Sequence, residues 1–135
     1  MKETLIKKEN LLKLGKEVLS HILERKGELI YSSHETLKKG DIYLLGLNPG
    51  GEGFITIKKH LEGILKKTTN SYLDESWENN ITKWNQGEAP LQKRVNYLLN
   101  SLNFKTREVC STNLIFVTSR SANDINYGLA GYCWR

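Results

Sequence analysis

The run Ile42-Tyr43-Leu44-Leu45-Gly46-Leu47 has strand character and breaks abruptly at Asn48-Pro49-Gly50-Gly51, a polar, glycine-rich corner. Ile, Tyr and Leu fit a pleated, buried strand, whereas Asn-Pro-Gly-Gly favours a sharp turn. In open α/β sheets, ligands bind just beyond the carboxyl ends of strands. The run therefore predicts a buried strand that ends in a functional loop. The competing reading is a tight turn in which Asn and Gly are chosen for backbone geometry alone.

The flanking pattern extends this reading. From Leu5 to about Arg25, Leu11, Leu14, Val18, Leu19, Ile22 and Leu23 recur at helical spacing, with Lys and Glu between them, and Gly27 is a plausible stop. Residues 28–40 are turn-rich around Leu29-Ile30-Tyr31. Phe54 to Lys67 places Ile57, Leu61, Ile64 and Leu65 on one face of a second helix, the usual partner of a parallel strand. Thr68 to Glu88 reads as a long polar connection with some local helix. Ala89-Pro90-Leu91 opens a helix with Leu91, Val95, Leu98, Leu99 and Leu102 as its stripe and Asn103 as its end. Glu108 to Thr118 returns to strand character through Val109, Leu114, Ile115, Phe116 and Val117, interrupted by Ser111-Thr112-Asn113. Helices alternating with strands place the chain in the α/β class.

At 135 residues the chain fits a single domain, 1–135, with one core. Twenty Lys and Arg against 15 Asp and Glu give a net charge of +5 and a pI near 9.2, which favours polyanionic partners such as nucleic acid. The N-terminus mixes Lys7, Lys8, Lys13 and Lys16 with leucines and acidic residues, without an apolar stretch of signal-peptide or membrane-spanning length, so a cytoplasmic, membrane-free protein is expected. Cys110 and Cys133 are too few for a four-ligand zinc or iron–sulfur site and read as buried thiols. No metal or cofactor is expected.

The strand ending in Gly46-Leu47-Asn48-Pro49-Gly50, the helix after it, the Pro-Leu-Gln-Lys-Arg-Val helix and a second strand bearing Thr112-Asn113 resemble the uracil-DNA glycosylase superfamily. The likeness covers roughly residues 41–124 and is nearest the mismatch-specific uracil and thymine-DNA glycosylases, whose first motif reads Gly-Ile-Asn-Pro-Gly. The resemblance implies a three-layer α/β/α fold with a parallel central sheet. It also implies hydrolysis of the N-glycosidic bond of uracil, mismatched thymine or a modified base in DNA. On that likeness Asn48 is the catalytic, water-positioning residue. Gly46, Leu47, Pro49, Gly50, Phe54 and Asn113 then form the base-binding set, with Asn113 reading the base and Phe54 stacking on it.

The side chains suit that chemistry. Cleavage passes through a sugar of oxocarbenium character, so the enzyme must place water below the anomeric carbon and stabilise the departing base. An asparagine carbonyl orients water without accepting a proton, which implies slow turnover. Lys58, Lys59, Lys66, Lys67 and Arg120 are candidate phosphate contacts or, equally, solvated and ion-paired surface residues. Asn113 as a backbone-capping amide and Phe54 as a core residue are the competing readings. His21, His34 and His60 are dispersed and read as noncatalytic, whereas Trp77, Trp84 and Trp134 read as packing residues, the first two able to border a groove.

The family fold carries four parallel strands and a second motif on a Pro-Ser loop. Here two core strands fit before Arg135, with Gly131-Tyr132-Cys133-Trp134-Arg135 opening a helix. A domain incomplete at its C-terminus is expected, with a homo-oligomer or a completing chain covering the sheet edge. The alternatives to a glycosylase are a noncatalytic nucleic-acid or nucleotide-binding module and a small phospholigand-binding α/β protein.

Overall fold

Strand β1 spans Tyr43–Gly46 and pairs in parallel with β2, Cys110–Asn113, in the register Tyr43↔Cys110 through Gly46↔Asn113. The computed structural model, which describes residues 8–134, is therefore a mixed α/β chain with a two-stranded parallel sheet. Five α-helices accompany it among the described residues: α1 Lys8–Val18, α2 Ile57–Gly63, α3 Ser71–Asp74, α4 Pro90–Ser101 and α5 Ala130–Cys133. The start of the first predicted helix, Leu5 to Lys7, lies outside the described residues. The chain forms two compact units, one from residues 8–29, 47–65 and 114–134, the other from residues 30–46 and 66–113.

In the first unit, Gly15 brings α1 against α2: a Cβ there would sit 2.7 Å from Leu61 Cδ1. Lys16 and Glu62 pair across the same contact at 3.5 Å. Helix α1 ends at Val18, not near Arg25, and Leu19 and Ile22 are buried from a series of tight turns instead. Apolar residues three apart serve a turn as well as a helix, so the periodicity overran the element. Gly27 is no helix stop either. It bridges Val117, and its backbone lies so close to Phe116 O that a Cβ would overlap that oxygen. Helix α2 begins at the Thr56 cap, whose hydroxyl accepts from Lys59 N at 3.2 Å, and continues through a 3₁₀ turn at Ile64–Lys66. Ile57, Leu61 and Ile64 are buried, as the apolar stripe predicts.

The second unit has its own core of Tyr31, Tyr72, Val95, Leu99 and Val109, with Ile42, Leu44, Trp77 and Phe104 packed against it. Tyr31, Tyr72 and Trp77 meet at centroid separations of 5.5 to 6.2 Å. Only alternate residues of β1 face this core. Tyr43 is 56% and Leu45 48% exposed, so the strand is half-buried and not buried as expected: among the described residues nothing covers its other face. Helix α4 starts with Pro90 at its first position and ends at Ser101, two residues before Asn103, whose φ of 62° is the left-handed terminator that Asn tolerates. Of its predicted stripe, Val95 and Leu99 are buried while Leu91, Leu98 and Leu102 are exposed.

The second strand reverses the expected pattern. The polar residues Cys110-Ser111-Thr112-Asn113 form β2, whereas Leu114–Val117 run beyond the regular ladder. Remote partners make this possible. Ser111 N donates to Ser32 Oγ at 2.9 Å, Ser32 Oγ shares a 2.7 Å hydrogen bond with Thr36 Oγ1, and Tyr31 N donates to Ser111 O at 2.8 Å. The turn-rich segment after Gly27 thus supplies the groups that satisfy a buried polar strand.

Arg107 grips Asp74 through two hydrogen bonds, Nη1 to Oδ2 at 2.9 Å and Nη2 to Oδ1 at 2.8 Å. That guanidinium, helped by the backbone N–H of Asn70, lowers the Asp74 carboxyl from its ordinary 3.8 to about 2. A depressed carboxylate stabilises the fold above its unfolded pKa, and that contribution disappears as pH falls through about 2. With solvent screening, about 1 kcal/mol is expected from the pair. Urea midpoints of wild type and Asp74→Asn should accordingly differ at pH 6 and converge at pH 2.

Candidate functional site

The loop after β1 is built on a parallel run of backbone in the first unit. Ile115 N donates to Leu47 O at 2.9 Å, Ser119 N donates to Pro49 O at 3.1 Å, and Gly50 bridges Ser119. Asn48, half-buried, is fastened through its amide nitrogen. Nδ2 donates to Ser119 Oγ at 2.8 Å, to Pro49 O at 3.0 Å and to Val117 O at 3.4 Å. Two of these partners are carbonyls, which only accept, and the Ser119 hydroxyl donates its own proton to Ser121 O at 3.0 Å. The orientation of the amide is therefore fixed by chemistry: nitrogen toward the three acceptors, carbonyl Oδ1 without a donor among the described residues.

Pro49 is buried, Leu47 is exposed, and a side chain at Gly50 would meet open space. Gly51 and Gly53 adopt φ of 77° and 67°, and a Cβ on Gly53 would lie 2.9 Å from Thr118 Oγ1. These two glycines are demanded by backbone geometry. Phe54 follows at 95% exposure, which overturns its reading as a core residue. Arg120 pairs with Glu52 across the loop, both side chains exposed.

Gly46 and Asn113 belong to the second unit and lie opposite each other at the end of the parallel pair. Asn113 is 2% exposed, and its Nδ2 has no hydrogen-bond acceptor among the described residues. A Cβ on Gly46 would overlap Asn113 Oδ1. The glycine of the motif leaves room for that amide. A buried amide donor without an acceptor costs about 1–3 kcal/mol, the kind of deficit that a ligand acceptor removes.

The structure thus joins Gly46 to Asn113 in one unit and fastens Asn48 beside Pro49 and Ser119 in the other. Sequence reasoning missed Val117 and Ser119 as the holders of Asn48. Their only signal was the polar residue closing the second apolar run. Of the candidate phosphate contacts, Lys58 pairs with Glu24 at 3.6 Å, while Lys67 lies 3.8 Å from Glu75 and bonds Thr69 and Ser71. Lys59 and Lys66 are exposed. The histidines have structural contacts: His34 Nδ1 bonds Lys67 O at 2.8 Å, His60 Nδ1 accepts from Leu29 N at 3.2 Å, and His21 lies against Tyr132.

Cys110 and Cys133 are free and half-buried; burial raises the Cys133 thiol above its usual range, and its sulfur accepts from Phe116 N. Among the described residues no cluster of three His, Cys, Asp or Glu is placed to hold a metal ion, and no helix is long and apolar enough to cross a membrane. A scan of protein-family models matches none to this chain, and searches of the curated proteins and the solved structures find no match.

Proposed function

We propose that this chain is a DNA glycosylase-like protein that hydrolyses the N-glycosidic bond of uracil, mismatched thymine or a modified base. The observation that carries the reading is the fastening of Asn48, whose nitrogen is held by three acceptors while its carbonyl oxygen has no donor among the described residues. A water oriented by Oδ1 attacks the anomeric carbon as the bond to the base breaks; the base leaves as an anion with the bonding electrons, and the proton shed by the attacking water passes to that base or to solvent. Asn48 takes no proton in this step, so its contribution is positional. In the second unit, taken by itself, the Asn113 Nδ2 has no acceptor among the described residues, and such a donor suits a carbonyl oxygen on a pyrimidine edge.

The test uses duplexes carrying uracil, mismatched thymine or modified cytosine, probed for abasic sites by alkaline strand scission. Wild type should produce scission on at least one substrate, and Asn48→Ala should lower the rate by about 100-fold, the scale of losing one positioned transition-state contact. Equal scission by both proteins excludes the assigned role. Salt-dependent DNA binding without abasic product on any duplex would identify a noncatalytic nucleic-acid-binding module instead.

A further inference from the structure

The long connection before α4 carries a feature that the Asn48 loop does not use. Trp84 N donates to Trp77 O at 2.9 Å, Glu78 bridges Lys83 in antiparallel sense, and Asn79 Oδ1 accepts from Ile81 N and Thr82 N at 2.8 and 2.7 Å. The segment is a small hairpin closed by an Asn-centred turn. Gly87, at φ 72°, then bends the chain into α4, its N–H donating to Glu75 O at 3.2 Å. Between hairpin and helix lies an open cleft of about 630 Å³, with Lys83, Trp84, Glu88, Pro90, Lys93 and Arg94 on its walls.

Three cations face one carboxylate in this cleft, and that carboxylate, Glu88, is taken by Lys93 at 2.7 Å. Lys83 and Arg94 are exposed and have no acidic partner among the described residues. Trp84 also differs from the other tryptophans. Trp77 and Trp134 donate their indole N–H to Glu75 Oε2 at 3.1 Å and Leu114 O at 2.6 Å, whereas the Trp84 indole has no acceptor among the described residues.

We propose that this cleft binds a single-stranded nucleic-acid segment, one base stacking on Trp84 while adjacent phosphates meet Lys83 and Arg94. Stacking needs a base face that duplex pairing hides, and a flat indole beside unpaired cations offers both halves of that recognition. An acidic peptide would satisfy the cations but leave the indole without a planar partner. The inference does not rest on the glycosylase reading, because no residue of the Asn48 loop takes part. Oligonucleotide binding reports on the cleft, and abasic product reports on the loop.

The test is fluorescence anisotropy of a labelled oligothymidylate titrated with the full chain over a range of salt concentrations. Binding should weaken linearly in log salt, and Arg94→Ala should reduce the slope by about 0.7. Trp84→Ala should weaken binding by roughly 5- to 150-fold, the range for loss of one base stack, while Trp84→Phe should recover most of it. The Phe variant separates stacking from loss of fold. Unchanged affinity in Trp84→Ala, equal loss in Trp84→Phe with its circular dichroism intact, tighter binding of the corresponding duplex, or equally effective competition by polyglutamate would each overturn the proposal.

Discussion

Replacing Gln92 with leucine is expected to remove about 4 kcal/mol of stability while nearly conserving volume. The side chain is completely buried, and each of its functional atoms is engaged. Oε1 accepts from Ala89 N at 2.9 Å, completing the half of a capping box that Ala89 cannot reciprocate, and Nε2 donates to Ser71 O and Glu75 O at 2.8 Å each. Leucine leaves Ala89 N and Ser71 O facing methyls, at about 1–3 kcal/mol for each unsatisfied group, while Glu75 O keeps the Gly87 N–H. Gln92→Glu should be no better, since a second oxygen would face two carbonyls. Urea midpoints with an unchanged m-value would establish the loss as one of stability. A leucine variant within about 0.5 kcal/mol of wild type would contradict it.

Gly27→Ala is the second large effect, again expected to cost about 4 kcal/mol. Its segment is held from two sides: Gly27 N donates to Ile55 O at 3.2 Å, Ile57 N to Arg25 O at 2.9 Å, Glu28 N to Phe116 O at 3.0 Å and Thr118 N to Lys26 O at 3.0 Å. A methyl at position 27 claims the space of Phe116 O, with Ile57 Cγ1 behind it at 3.0 Å. A backbone carbonyl cannot rotate away as a side chain can, so the bridge to Val117 must open. Thermal unfolding should show a lower midpoint, and proton exchange at Glu28 and Thr118 should accelerate more than exchange in α4.

Much of this architecture is legible in the residues because its causes are local. Pro90 and Asn103 bracket α4, Ile57, Leu61 and Ile64 mark the buried side of α2 and its 3₁₀ extension, and the run from Tyr43 to Gly46 is a strand followed by a turn. What escaped has remote causes. Ser111 is a strand residue because a hydroxyl 79 positions earlier accepts its N–H, and no local pattern carries that information. Gly27 reads as a helix terminator when its neighbourhood ends at Arg25, but its position is decided by Phe116. The candidate site divides in the same way. Asn48 is visible as the polar break after an apolar strand, while Ser119, which holds it, is separated from it by 71 positions. Phe54 looks like core by type and stands in solvent, because α2 starts only after the Thr56 cap.

The three oxygens around Asn48 Nδ2 also decide what can stand in its place. Aspartate has nearly the same shape and is the stronger base, yet it would turn an oxygen toward Pro49 O, Val117 O and a Ser119 hydroxyl already committed to Ser121. Two carbonyl dipoles would point at its charge, so the acid would have to keep its proton or abandon the loop. The neighbours keep this position an amide: the oxygens that steady asparagine shut out its carboxylate counterpart.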